Sequence, residues 1–302
     1  MARAFTLVQL RYFIEISRLE NMRAAASLLN VSQSTLSSSL SQLEHDLGAQ
    51  LFLRLPNRAL KLSEDGKRLV AGARILLEDA ETLQTSLSGP DDQLGGKLRV
   101  GIFAPLAPFI APRLLSNFRE RYPKIELQFV EGEQQQVLEA LGKGECEIAL
   151  MYDLGVSAEF SMESVERLGA HIIVGENHRL AQRKKPISFS ELVDEPLVLL
   201  DQAHSREYFL KLFSSLDLEP NVAYWVSGYE TVRSYVAMGL GYSILNRRMS
   251  HNLTYTGSSV VPLPIADPVV PISVVVAHAK EMPLTRKARV FAELAREILN
   301  GR

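Results

Sequence analysis

From Leu7 onward the apolar positions recur every three or four residues. Leu7, Leu10, Phe13, Ile14 and Ile16 form one stripe, and Leu36, Leu40, Leu43 and Leu47, at steps of four, three and four, form another. That period is helical rather than extended. Asn21 before MRAAASLL and Ser32 before QSTLSSSL suit helix starts, where a polar side chain accepts from unpaired N–H groups, and Gly48 suits a stop. Three short helices are therefore predicted, over 7–17, 22–29 and 33–47. Six serines fall between Ser32 and Ser41, five of them inside the third helix, although serine disfavours helix interiors because its hydroxyl competes for backbone groups. On a helical wheel Ser34, Ser38, Ser41 and His45 lie opposite the leucines, flanked by Thr35, Ser37 and Gln42. The serines thus face outward. Two short helices, a brief turn and a helix with a face of small hydroxyls and amides describe a helix-turn-helix.

Small side chains let such a helix approach base edges. Ser and Thr hydrogen-bond to several bases or to phosphates, and Gln makes a bidentate contact to adenine. Ser32, Gln33, Ser34, Thr35, Ser37, Ser38 and Gln42 are the candidate DNA contacts. The plainer alternative is a solvated amphipathic helix, and it draws support from charge: no Lys or Arg occurs between Arg23 and Arg54. Phosphate contacts must come from elsewhere. QLFLRLPNRALKLSEDG reads as a small two-stranded wing around a Pro56-Asn57 turn, with Arg54, Arg58 and Lys61 as phosphate candidates.

Ser63 then caps a helix with Glu64 and Asp65 in its first turn. Leu69, Ala73, Leu76, Ala80, Leu83 and Leu87 alternate steps of four and three, a heptad seam that points to a second chain rather than to the helix's own domain. Gly89-Pro90-Asp91-Asp92 breaks the helix. Beyond it KLRVGIF, IELQFV and CEIALMY are strand-length apolar runs separated by the helical patterns PFIAPRLLSNFRERYP and QQQVLEALGKG, a βαβαβ unit with a parallel sheet. HIIVG, PLVLL, VAYWV and GYSILN repeat the scheme around SREYFLKLFSSL and YETVRSYVAMG. VPISVVVAH and the last helix, LTRKARVFAELAREIL, find no partner there and are placed back on the first unit.

Composition narrows the function classes. At 302 residues and 46% apolar, the chain has material for two or three domains. Its single cysteine, Cys146, excludes a disulfide framework and fits a reducing cytoplasm. No uncharged apolar run is long enough to span a bilayer, and no secretory leader is read at the N-terminus. The net charge of −2 says nothing about a local nucleic-acid patch. Enzyme readings are weak: the six histidines show no metal-ligand spacing, no GxSxG elbow exists, and Gly239-Leu240-Gly241 follows a helix, the reverse of a dinucleotide fingerprint. No catalytic residue, metal or cofactor is expected, and Cys146 and Trp225 are read as packing residues.

QLRYFIEISRLENMRAAASLLNVSQSTLSSSLSQLEHDLGAQLFLRLPNRALKLSEDG resembles the winged helix-turn-helix of the LysR-type transcriptional regulators nearly residue for residue, and the resemblance extends over essentially the whole chain. It implies an α/β protein: an N-terminal winged helix-turn-helix (1–63), a linker and dimerisation helix with hinge (64–93), and a two-lobed effector domain (94–302) resembling type II periplasmic binding proteins. Lobe I is then about 94–166 and 268–302, and lobe II about 167–267. The resemblance further implies an inverted-repeat operator, linker-joined homodimers that pair into tetramers, RNA polymerase as a further partner, and a small-molecule effector between the lobes. Open α/β sheets bind ligands beyond the carboxyl ends of strands. That rule selects Ala104, Pro105 and Leu106; Tyr152; Asp201, Ser205 and Arg206; and Tyr229, Glu230 and Thr231, and the resemblance points to the same loops. Arg206 suits a carboxylate or phosphate and Asp201 or Glu230 an amine or hydroxyl, ordinary ion pairing being the alternative for each. Ser34-Thr35, Ser63 and the hydroxyl-free Ala104-Pro105 depart from the usual family pattern, the last making that corner less polar. The expected function is a sequence-specific DNA-binding regulator that answers a polar or anionic effector. The rivals are a binding protein whose N-terminal domain serves only assembly, and an enzyme on a periplasmic-binding-like fold.

Overall fold

The computed structural model describes residues 5–54, 60–86 and 94–300. Helices α1 (Leu7–Leu19), α2 (Met22–Leu28) and α3 (Gln33–Leu47) form as the sequence predicts, α1 running two residues longer. Asn21 accepts from the N–H groups of Arg23 and Ala24, Ser32 accepts from Thr35, and Gly48 closes α3 at φ +64°. Strands β1 (Phe52–Arg54) and β2 (Leu60–Leu62) pair antiparallel as the wing. Arg58, the Pro56-Asn57 turn and residues 87–93, with Leu87 and the hinge, lie outside the described residues. Leu10, Phe13, Leu36, Leu43 and Leu51 are fully enclosed in one core, with the Phe13 and Phe52 rings 5.5 Å apart. Burial of each such side chain contributes about 1.5–3 kcal/mol.

Helix α4 (Glu64–Ser86) carries both domains' interests. Of the seam, Ala73 enters the N-terminal core, with Val70 beside it, and Leu69 packs against that core. Leu76 and Leu83 remain 45% and 65% exposed. Strands β3 (Gly96–Phe103), β4 (Ile125–Gly132), β5 (Ile148–Tyr152), β6 (Phe160–Leu168) and β12 (Ile272–Ala279) form a sheet in the order β4-β3-β5-β12-β6, with β3 parallel to β4 and β5. Crossover helices α5 (Ala107–Arg121) and α6 (Gln134–Gly142) join the parallel strands, and the last helix, α9 (Arg286–Asn300), sets Phe291 edge-to-face against Phe118. Contacts divide the chain into two compact units: the first holds the residues up to 151 with 157–163 and those from 276, the second 152–156 and 164–275.

The second unit corrects the repeat reading. Strands β8 (Leu197–Leu200) and β9 (Val222–Val226) pair in parallel through helix α7 (Ala203–Ser214), but β10 (Ser243–Leu245) and β11 (Val260–Leu263) both run antiparallel to β7 (His171–Gly175). Parallel pairing requires a long crossover, which antiparallel neighbours do not. Helix α8 (Tyr229–Ala237) leads into β10. Trp225 is half exposed, so the packing role read for it does not hold.

The two glycines of α4 differ in their surroundings. A Cβ at Gly66 meets the Leu51 carbonyl oxygen, whereas one at Gly72 meets nothing within 4 Å. Gly66→Ala is expected to destabilise by about 1–3 kcal/mol, and Gly72→Ala, in the same helix, to stabilise by about 0.5–1 kcal/mol, both read by chemical denaturation. His171 is buried in β7, and burial lowers its pKa to about 4. The unfolded chain takes up this proton first, so stability falls as pH drops below about 6.5, by up to about 3 kcal/mol near pH 4. Denaturation midpoints between pH 7 and 4.5 should fall in the wild type and flatten in His171→Asn.

Candidate functional site

Helix α3 shows what the serines do. Gln33, Ser34, Thr35, Ser38, Ser41, Gln42 and His45 are exposed, while Ser37 is half buried on the flank. The Ser32 hydroxyl is bonded to Ser34 Oγ at 2.8 Å and Thr35 Oγ1 at 2.7 Å, and accepts the Thr35 N–H at 3.0 Å. Ser38 donates to the Thr35 carbonyl, and Gln42 Nε2 donates to Asp46. The helix's first turn is therefore a fixed cluster of hydroxyls at its positive dipole end, a favourable place for a phosphate. Gln33 has no intrachain side-chain partner among the described residues and is free to read a base edge. Glu44, on the inner flank, accepts from the N–H groups of Leu51 and Phe52, fixing the helix to the wing.

Helix α3 itself contributes no Lys or Arg. Lys61 is exposed on β2, and Arg54 lies on β1 opposite Leu60, its side chain outside the described residues. Sequence reasoning missed Arg23: exposed in the first turn of α2, it is a further cation beside the turn that leads to α3. Its signal was visible as the last cation before the uncharged stretch.

Of the ligand-loop candidates, Ala104, Pro105 and Leu106 form a 3-10 turn after β3 in the first unit, with Leu106 buried. The other seven are in the second unit. Arg206 pairs with Asp201 and sits over the Trp225 ring, 5.3 Å from its centroid. Glu230 pairs with buried Arg233 at 2.5 Å and accepts the Tyr255 N–H at 3.0 Å. Ser205 is buried and Thr231 exposed. The ion-pair alternative thus describes all three charged candidates. The loop of residues 152–156 and the start of α7 meet where the His204 ring occupies the space a Cβ on Gly155 would take. Tyr152 is buried at the end of β5, and Tyr229 donates to the Arg247 carbonyl. Burial pushes both phenols well above their usual range, so both act as neutral hydrogen-bond donors.

Sequence reasoning missed the group beside these tyrosines. Arg247, 2% exposed, makes a two-pronged pair with Glu166, 81 residues away, at 2.5 and 3.1 Å. Such geometry offsets the desolvation of both charges. Asp153 accepts the Ser273 N–H at 2.9 Å, closing the same loop. No group of three or more metal-ligating side chains occurs among the described residues, and no helix is long and apolar enough to cross a membrane.

A winged helix-turn-helix joined by a long helix to a ligand-type α/β domain defines a DNA-binding regulator that carries its own sensor. Residues 7–67 match the bacterial regulatory helix-turn-helix protein, lysR family, and residues 91–300 match the LysR substrate binding domain. The chain belongs to the LysR family of transcriptional regulators. It is similar to HinK, a LysR family transcriptional regulator from Pseudomonas aeruginosa, with 32% identity and a TM-score of 0.66 over 98% of this chain and 99% of that one. A substituted form of full-length OxyR from the same organism gives 26% identity and a TM-score of 0.70 over 97% and 98%. A hydrogen peroxide-inducible genes activator of Pectobacterium carotovorum subsp. carotovorum is 24% identical over 293 residues, 97% of this chain and 96% of the relative.

Proposed function

We propose that the chain acts in the cytoplasm as a homodimer joined through α4, dimers pairing into tetramers, and that it binds an inverted-repeat operator with one α3 in each half-site. RNA polymerase is its downstream partner, and it catalyses no reaction. Residues 1–63 bind DNA, 64–93 link and dimerise, and 94–302 take up a small polar or anionic effector. The observation that carries this reading is the outward polar face of α3, with its hydroxyls fixed at the helix start and Gln33 free. Exposed Leu76 and Leu83 support pairing through α4. Ser32, Ser34, Thr35, Ser37, Ser38 and Gln42 contact bases or phosphates alongside Gln33, while Arg54, Arg58 and Lys61 hold phosphates.

A response to peroxide through a reactive thiolate is not part of this reading, although one relative is named for hydrogen peroxide-inducible genes. Cys146 is the single cysteine, is buried, and has its thiol pushed up to about 12 by that burial. An effector carboxylate reaching Arg206 must displace Asp201, a competition that favours ligands with two or more acceptor oxygens.

Selection from a random duplex library should return a palindrome with half-sites about one turn, or a multiple, apart. Gln33→Ala is expected to change base preference, and Lys61→Ala to weaken selected and random duplexes alike and reduce the salt slope by about one. Equal losses on every sequence for both variants would sink the division of roles. Ser32→Ala should lower stability by about 1 kcal/mol through its lost cap, which separates a folding defect from a reading defect. For the effector, a carboxylate from a panel of amino acids, organic acids and nucleobases should raise the unfolding temperature. Arg206→Ala should abolish that rise without altering DNA binding; an undiminished rise would make Arg206 a structural residue.

A further inference from the structure

The first unit contains a cleft of about 750 Å³, bordered by α1, α2 and α4 on one side and by β3, the turn before β5 and the start of α9 on the other. That volume lies within the range of small-molecule sites. Its apolar wall is Ile14, Leu28 and Leu77. The cleft is also lined by Arg74 of α4 and Arg99 of β3; burial lowers the Arg74 pKa, the Glu147 charge opposes that shift, and the Arg99 charge adds to it.

Most other charges around the cleft are already satisfied. Glu15 pairs with Arg18 at 2.7 Å, Glu78 accepts the Arg286 and Lys287 N–H groups, Glu147 accepts the Thr285 hydroxyl, and Lys97 faces Glu126 at 3.6 Å. Glu145, Arg11, Glu81 and Lys287 also border the cleft, with Lys287 Nζ 3.9 Å from Glu81. Neither Arg74 nor Arg99 has a side-chain hydrogen-bond or ion-pair partner among the described residues, and Arg99 Nε is fully buried. Gly144, at φ +72°, leaves room for Arg74: a Cβ there would stand 2.6 Å from Arg74 Nη2. Both arginines are half buried, and guanidinium groups partly withdrawn from water without partners are costly; elsewhere this chain pairs its buried ones, as with Arg233 and Arg247.

We propose that this cleft is a second small-molecule site, distinct from the ligand loops of the second unit, for an organic anion whose carboxylate or phosphate lies between Arg74 and Arg99 and whose apolar body rests on Ile14, Leu28 and Leu77. Its walls come from both the DNA-binding part and the C-terminal domain. Anion binding here and the docking of those two parts are therefore linked, each strengthening or weakening the other by the same factor.

The test is thermal unfolding of the full chain against hexanoate and against inorganic phosphate, each referred to sodium chloride of equal ionic strength. A saturable rise with hexanoate identifies a carboxylate head, with phosphate a phosphate head, and with both a site that reads the anion alone. Arg99→Met should lose that rise, or need about tenfold more anion, while its unfolding temperature in chloride stays level or increases, since an unpaired, half-buried charge has been removed. Lys184→Met, which removes an exposed cation of the second unit outside the cleft, should respond as wild type. The proposal is overturned if neither anion exceeds chloride, if Arg99→Met responds in full, or if Lys184→Met loses the response. Should Arg99→Met fail to fold, Leu28→Trp, which fills the cleft from its exposed rim, decides: an unchanged response overturns the proposal and a lost one upholds it.

Discussion

One buried carboxylate fastens the regulatory half of this molecule to its DNA-binding half. Glu78, 5% exposed on α4, accepts the N–H groups of Arg286 at 2.9 Å and Lys287 at 3.1 Å, and so caps the last helix, α9, from another element. The first N–H groups of a helix have no intrahelical acceptor, and a negative charge there also meets the positive end of the helix dipole. About one and a half to two turns away on the same helix, Val70 and Ala73 are sealed into the N-terminal core. Helix α4 therefore cannot turn about its axis without opening that core or uncapping α9. A linker that rotated freely could join the domains but could not transmit a change from one to the other. This one is held at both ends, while Leu76 and Leu83 remain open to another chain.

What was legible in the sequence was local. The helix-turn-helix could be read because its determinants lie within a few residues: Asn21 and Ser32 each cap the helix that begins beside them, the leucines repeat at helical spacing, and Gly48 stops the run. Strands β3, β5 and β12 announced themselves as short, predominantly hydrophobic runs. β6 did not, because FSMESVERL presents exposed polar residues along its middle and buries Phe160, Val165 and Leu168 irregularly. Glu78 was invisible for a related reason. In a heptad it reads as a solvent position, and only the fold brings the start of α9, 208 residues along the chain, against it. Arg247 and Glu166 are likewise strangers in sequence.

The candidate ligand loops were chosen by a rule about strand ends, yet that rule does not say which charges are spent inside the protein. Arg206 answers Asp201, Arg233 answers Glu230, and Arg247 answers Glu166. Two of these arginines are nearly inaccessible, where an unpaired charge would be strongly destabilising, so their pairing is a condition of folding. Arg206 differs, being about half exposed and stacked on Trp225, itself exposed against the sequence expectation. A surface pair of this kind is worth little to stability. It can therefore be exchanged for a ligand's carboxylate at small penalty, which the buried pairs cannot.

Helix α3 meets an opposite constraint, since it must approach a polyanion while carrying Glu44, Asp46 and no Lys or Arg. Its attraction to phosphate is limited to the dipole of its first turn and the hydroxyls gathered there, and long-range attraction must come from the wing and from Arg23. Dividing the work this way separates affinity from reading. In the proposed division, cations on the wing bind any duplex, whereas a helix without Lys or Arg gains little from a wrong sequence and is left to discriminate through the fit of small side chains and the free amide of Gln33. The serines that weaken α3 as an isolated helix are tolerated because Ser32 caps it, the leucines bury its other face and Glu44 ties it to the wing. Tertiary structure supplies the stability that the recognition face gives up.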